Sequence, residues 1–129
     1  MEEVKHMGIW MDHSNAFLME LTNDIIIQNN VVSEFTHEDK EFGLSKSENL
    51  MHHKEQHQQM KYYKKISDVI LNYQEVVLFG PTDAKSELLN LLKTDHLFEN
   101  TKIVIKQTDK MTENQRHAFV KSYFKNDLS

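Results

Sequence analysis

From His6 to Leu21 the residue pattern is strand-like. HMGIWMD and NAFLMEL flank the turn-prone Asp12-His13-Ser14-Asn15, which predicts a β-hairpin. IIIQNNVVSEF (Ile25 to Phe35) predicts a third strand, with Asn23-Asp24 as the turn before it. The first three elements therefore read as an antiparallel meander. Residues Thr36 to Lys46 are polar and charged, include Gly43, and predict the longest loop. Ser45 and Glu48 then stand at the spacing of a capping box. Leu50, Met51, Met60, Tyr63, Ile66, Val69 and Ile70 recur at helical intervals and predict a long helix. Its first half (HHKEQHQQ) is polar and is expected to project beyond the body of the domain.

The second half of the chain alternates strand and helix. EVVLF (Glu75 to Phe79) is a short continuous apolar run of the kind that suits a buried central strand. Gly80-Pro81 ends it. Ala84, Leu88, Leu89, Leu91 and Leu92 mark a second helix, with Thr82 or Asp83 as its cap. KIVIK (Lys102 to Lys106) predicts another buried strand. Thr112 and Gln115 have capping-box spacing, and Ala118, Phe119, Val120, Tyr123 and Phe124 supply the apolar face of a last helix. The order is β-β-β-α-β-α-β-α. Strand-helix alternation implies right-handed parallel crossovers, so the fold class is α/β, with a mixed sheet, helices packed on it and a ribonuclease-H-like arrangement.

Composition narrows the function classes. The 129 residues fit one domain, 39% are hydrophobic and 27% charged, which is an ordinary globular composition. No apolar run approaches the roughly 20 residues that span a bilayer, and MEEVKHMG lacks the apolar stretch of a signal peptide, so a cytoplasmic location is expected. Cysteine is absent, which excludes disulfides and thiolate chemistry. The formal net charge of −5 argues against a general nucleic-acid binder, because phosphate contact needs a basic surface. The charge is unevenly spread, however. Glu34, Glu38, Asp39 and Glu41 outweigh Lys40, whereas Lys46, Lys54, Lys61, Lys64 and Lys65 outweigh Glu48 and Glu55. His52, His53 and His57 lie inside the basic stretch.

Three chemistries can be weighed on residues. VVLFGPTDAKSELL invites comparison with a phosphate loop, but Pro81 has no N–H to donate and the Gly-Lys-Ser/Thr ending is missing. A tight strand-to-helix junction is the better reading. Asp12, Asp83 and Asp109 follow predicted strands, and Glu48 or Glu55 lies on the long helix. Such carboxylates could hold paired divalent cations in a ribonuclease-H-like nuclease, although acids at strand ends are also ordinary turn and cap residues. His13 and Ser14 share the hairpin tip, but no base and orienting acid can be paired with them. His53 and His57, four apart, share a helix face and could bind zinc, yet neither an H-E-x-x-H nor a cysteine supports them, and a solvated face is expected. No metal or other cofactor is expected. The seven methionines and Trp10 read as core.

GIWMDHSNAFLMEL, a long polar helix ending in YYKKISDVI, VVLFGPTDAKSELLNLL and KIVIKQTDKMTENQ together resemble the middle domain of archaeal and eukaryotic peptide-chain release factors and of the ribosome-rescue factor Pelota. The chain looks most like their small bacterial relatives. The most specific part is the strand, the Gly80-Pro81 turn, then Lys85 and an apolar helix. The resemblance covers nearly the whole chain and implies a single release-factor-middle-domain-like domain over residues 1–129 with a ribonuclease-H-like fold. Active release factors of that family carry a Gly-Gly-Gln tip in the loop before the long helix, where it helps water attack peptidyl-tRNA. The matching loop here, HEDKEFGLSKSEN, has Gly43 alone, and no Gly-Gly-Gln occurs in the sequence. Because the resemblance to the middle domain takes up nearly all of these residues, no codon-reading or C-terminal partner-binding domain is expected among them.

The resemblance thus implies a non-catalytic protein that binds the ribosome or tRNA. Lys46, Lys54, Lys61, Lys64 and Lys65 are its candidate phosphate contacts, with His53 and His57 adding charge at lower pH. The alternatives are the metal-dependent nuclease on Asp12, Asp83 and Asp109, and a protein-interaction or oligomerisation domain, a homo-oligomer included, that pairs through an exposed strand edge.

Overall fold

A computed structural model describes residues 5–23, 25–33 and 48–128, and the side chains of all of these except 48–56 and 126–128. The elements run β1 (His6–Met11), β2 (Asn15–Thr22), β3 (Ile25–Val32), α1 (Glu48–Ile70), β4 (Glu75–Gly80), α2 (Ala84–Lys93), β5 (Lys102–Gln107) and α3 (Glu113–Leu128). A short 3₁₀ turn at His96–Phe98, which the apolar pattern does not signal, precedes β5. The five strands form one sheet in the order β3-β2-β1-β4-β5. β1 pairs antiparallel with β2, and β2 with β3. β1 pairs parallel with β4, and β4 with β5. The mixed sheet with helices on it is ribonuclease-H-like, as the element order predicts.

The strand order explains the burial pattern. β1 is central, flanked by β2 and β4, and all six of its residues are buried. β4 is buried from Val76 onward, which is why its sequence is a continuous apolar run rather than an alternating one. On one face Met7, Ile9, Leu18 and Leu78 pack with Tyr62, Ile66 and Ile70 of α1 and Leu88 of α2. On the other face Trp10, Met19, Val77 and Phe79 pack with Val120 and Phe124 of α3. Trp10 is therefore core, as expected, and Phe79 stacks on Phe119 with ring centroids 4.3 Å apart.

Two glycines set close approaches. A Cβ on Gly8 of β1 would lie 2.3 Å from a Val120 methyl, so the missing side chain lets α3 settle on the central strand. Gly80 ends β4 at φ +148°, and a Cβ there would lie 2.3 Å from the Met11 carbonyl oxygen. The chain can turn out of β4 beside the end of β1 only with glycine at this point. Asn23, at φ 51°, supplies the left-handed residue of the β2–β3 turn.

The caps differ in how far they follow the pattern. Thr112 and Gln115 form the predicted box: the Thr112 N–H donates to Gln115 Oε1 at 2.9 Å, and the Gln115 N–H donates to Thr112 Oγ1 at 3.2 Å. The Ser45–Glu48 box falls on residues or side chains outside those described. Asp83 occupies the N-cap of α2, but its side chain makes no capping bond. Thr82 Oγ1 accepts from the Ala84 N–H instead, at 3.3 Å. β3 ends at Val32, short of the predicted Phe35.

Candidate functional site

β1, β4 and β5 are mutually parallel neighbours, so their C-terminal ends share one edge of the sheet. In open α/β sheets this is the edge outside which ligands settle. Asp12 follows β1, Pro81-Thr82-Asp83 follows β4, and Thr108-Asp109 follows β5. The fold thus gathers the three sequence-selected aspartates at one edge without making them a metal site. Asp12 Oδ1 accepts from the backbone N–H groups of Ser14 at 2.8 Å and Asn15 at 2.7 Å, a turn-forming role. Asp83 and Asp109 are exposed. Among the described residues no three His, Asp or Glu side chains come together in a metal-holding arrangement.

A second cluster beside Asp12 is better built. Tyr62 OH donates to the Asp12 carbonyl at 2.8 Å. Tyr63 OH donates to Glu87 Oε1 at 2.7 Å, and His13 Nε2 lies 3.0 Å from Glu87 Oε2. Two adjacent tyrosines on α1 therefore hold the hairpin tip and α2 together. Burial raises the pKa of Tyr62 far above the ordinary tyrosine value, and the charge of Asp12 adds to it. Burial also raises Tyr63, reinforced by its bond to Glu87. Both phenols stay protonated and act as donors. Burial pushes the Glu87 carboxyl upward, but hydrogen bonds from His13 and Tyr63 outweigh it and hold the group below its usual range. The sequence marks Tyr63 only as an apolar-face residue and gives no sign of Glu87.

The Gly80-Pro81 turn is closed by a buried lysine. Lys85 is only 2% exposed. Its Nζ donates to the Thr82 carbonyl and, at 2.7 Å, to Gln107 Oε1 at the end of β5. Gln107 Nε2 donates in turn to the Pro81 carbonyl at 3.2 Å. Burial lowers the Lys85 pKa, and the charge of Asp83 works against that. The buried ammonium is held by the Thr82 carbonyl and the Gln107 side chain, so this turn is a structural joint between β4, α2 and β5 and not a phosphate cradle. Lys85, Leu88 and Leu92 stand at helical spacing on one stripe of α2, a signal that could have placed Lys85 among the buried positions.

The predicted phosphate contacts fall on the other side of α1. Tyr62, Tyr63, Ile66 and Ile70 are buried, whereas His57, Lys61, Lys64 and Lys65 are exposed. Lys64 Nζ lies 3.0 Å from Asp68 Oδ1, an ion pair exposed on both sides. Positions 53 and 54 belong to α1, but the side chains of His53 and Lys54 lie outside the described residues, as does Lys46 altogether.

No family model matches the sequence, and no curated protein matches it. Solved structures do. Thermoplasma acidophilum Pelota superposes with a TM-score of 0.61 over 97% of this chain, at 15% identity. The fold is that of the Pelota and release-factor middle domain. Archaeoglobus fulgidus Pelota gives a TM-score of 0.60 over 94% of the chain at 10% identity. The archaeal translation termination factor aRF1 gives 0.55 over 96% at 10% identity. The chain spans about a third of the length of those Pelota chains, 32% and 34%, and 39% of aRF1.

Proposed function

We propose that this Pelota-like domain is a translation-associated binding module that docks on the ribosome or on tRNA without hydrolysing peptidyl-tRNA. The observation that supports this most is the extent of the structural likeness, 94–97% of the chain against one domain of Pelota. One matching protein, aRF1, is a translation termination factor. The sequence lacks a Gly-Gly-Gln, so the hydrolytic function of release-factor tips has no residue to carry it.

On this reading the exposed face of α1 makes the contact. Lys61, Lys64 and Lys65, with His57, project away from the core, and Lys46, Lys54 and His53 extend the same basic stretch in sequence. The Lys64–Asp68 pair does not oppose binding strongly. Both side chains are largely exposed, and such surface pairs contribute only about 0–1 kcal/mol. Tyr62 and Tyr63 tie the long helix to the hairpin tip and to α2, which leaves this face turned outward. Phosphate contacts of this type position a partner rather than read its sequence.

The test separates the two partners. Fluorescently labelled protein is titrated with vacant ribosomes, and separately with deacylated tRNA, at low salt. Saturable binding to either one that weakens on changing Lys61, Lys64 and Lys65 together to Glu is expected. Binding to neither, or binding unaffected by the triple substitution, overturns the reading.

A further inference from the structure

Among the described residues β3 is an edge strand, bonded to β2 on one side only. It carries no charged residue (IIIQNNVV) in a chain whose net charge is −5. Its sequence also holds no proline or lysine, two of the residues that blunt sheet edges. Its apolar side chains are unusually open: Ile25 is 64% exposed, Ile27 51% and Val32 57%. Its ladder with β2 continues into Ser33, whose N–H donates to the Ser14 carbonyl at 2.8 Å. Alternation along an antiparallel strand then directs Ile25, Ile27, Asn29 and Val31 toward β2, and turns the backbone groups of Ile26, Gln28, Asn30 and Val32 outward.

We propose that β3 pairs with β3 of a second copy of this chain, antiparallel about a two-fold axis at Asn29. The sequence is self-complementary about that residue. Ile26-Ile27 and Val31-Val32 flank the amides Gln28, Asn29 and Asn30. In this register Ile26 lies opposite the second copy's position 32 and Ile27 opposite position 31, so β-branched side chains meet β-branched side chains, which is favourable across strands. Gln28 lies opposite position 30, and Asn29 lies opposite itself. The outward backbone groups of positions 26, 28, 30 and 32 fall opposite one another, as a hydrogen-bonded ladder requires. Two acidic chains repel over most of their surface, and the uncharged edge is where that repulsion is least. The isologous pairing closes at two copies and joins the two sheets into one of ten strands, two sets of the five in each copy.

Sedimentation equilibrium of the full chain tests this. A ladder of one strand is a small interface, so the series runs to roughly 0.5 mM, where weak association is populated. The mass is expected to rise from 15.3 kDa toward twice that value with concentration. Asn29→Lys and Asn29→Glu each place like charges face to face on the axis, and each is expected to weaken the dimer by about two- to fivefold. An equimolar mixture of the two variants pairs Lys with Glu and is expected to restore the dimer. A wild-type chain that remains monomeric, a dimer indifferent to both substitutions, or variants that do not associate when mixed would each overturn the proposal.

Discussion

Tyr63 of α1 donates its hydroxyl to Glu87 of α2 across 2.7 Å, and the same carboxylate receives His13 from the hairpin tip at 3.0 Å. One acidic side chain thus joins two helices and the β1–β2 turn at the C-terminal edge of the sheet. Tyr63→Phe removes one of its two partners and is expected to cost about 1 kcal/mol at neutral pH, a typical net hydrogen-bond contribution. The cost depends on pH. The folded-state pKa of Glu87 lies below its ordinary value of 4.5, so this stability is present above that pH and is lost as pH falls through the depressed value. Thermal melts from pH 7 down to pH 3 should show the wild type and variant converging in acid. A gap that stays constant or widens would contradict this assignment.

The alkaline limb follows from the tyrosines with the opposite sign. Tyr62 and Tyr63 both have folded-state pKa values raised above 10.0, chiefly by burial. The stability this confers is complete below pH 10 and declines above it, because the unfolded phenols ionise first. Replacing both by Phe should flatten the fall in melting temperature above pH 10, even though the double variant starts lower. A fall as steep as that of the wild type would show that other groups set the limb.

Gly80→Ala tests the joint after β4. The substitution places a Cβ 2.3 Å from the Met11 carbonyl in a backbone conformation, φ +148°, that L-residues rarely adopt. Strain of this kind costs about 1–3 kcal/mol before any clash is relieved. The melting temperature should fall by several degrees or more, with the urea m-value unchanged. Wild-type stability in this variant would contradict the geometry.

Lys85 makes a sharper comparison. Lys85→Met keeps most of the buried stem but leaves the Thr82 carbonyl and Gln107 Oε1 without their donor, at a cost of about 1–3 kcal/mol. Lys85→Ala also leaves a void beside Leu88, and should be worse by a further 1 kcal/mol or about that. Chemical denaturation of the two variants orders them. If Lys85→Met is as stable as the wild type, the ammonium is not the link between β4, α2 and β5.

Much of the fold was legible because its signals are local. The strand-like pattern around Asp12–Asn15 announced β1, β2 and their hairpin, continuous apolar runs announced β4 and β5, and the Thr112–Gln115 box formed as spaced. β5, expected to be buried, is only partly so because it lies at the end of the strand order. The element order then led to a ribonuclease-H-like sheet, which the strand order matches. The site was less legible because its contacts are distant in sequence. Glu87 is reached from His13 and Tyr63, and Lys85 is bonded to Gln107. No spacing rule connects residues on separate elements, and a lysine on a short helix reads as exposed unless its place on the apolar stripe is weighed. Of the two candidate caps of α2, Thr82 supplies the side-chain bond, to the Ala84 N–H, and Asp83 does not.

The proposal that the domain works on the translation machinery is tested most directly by co-sedimentation with ribosomes through sucrose, at low and at high salt. Contact through Lys61, Lys64 and Lys65 predicts association at low salt that is lost at high salt, with the salt slope reduced by about one unit for each lysine replaced. A protein that stays at the top of the gradient with every ribosomal state tried and binds no tRNA either, or one whose association ignores salt, would contradict it.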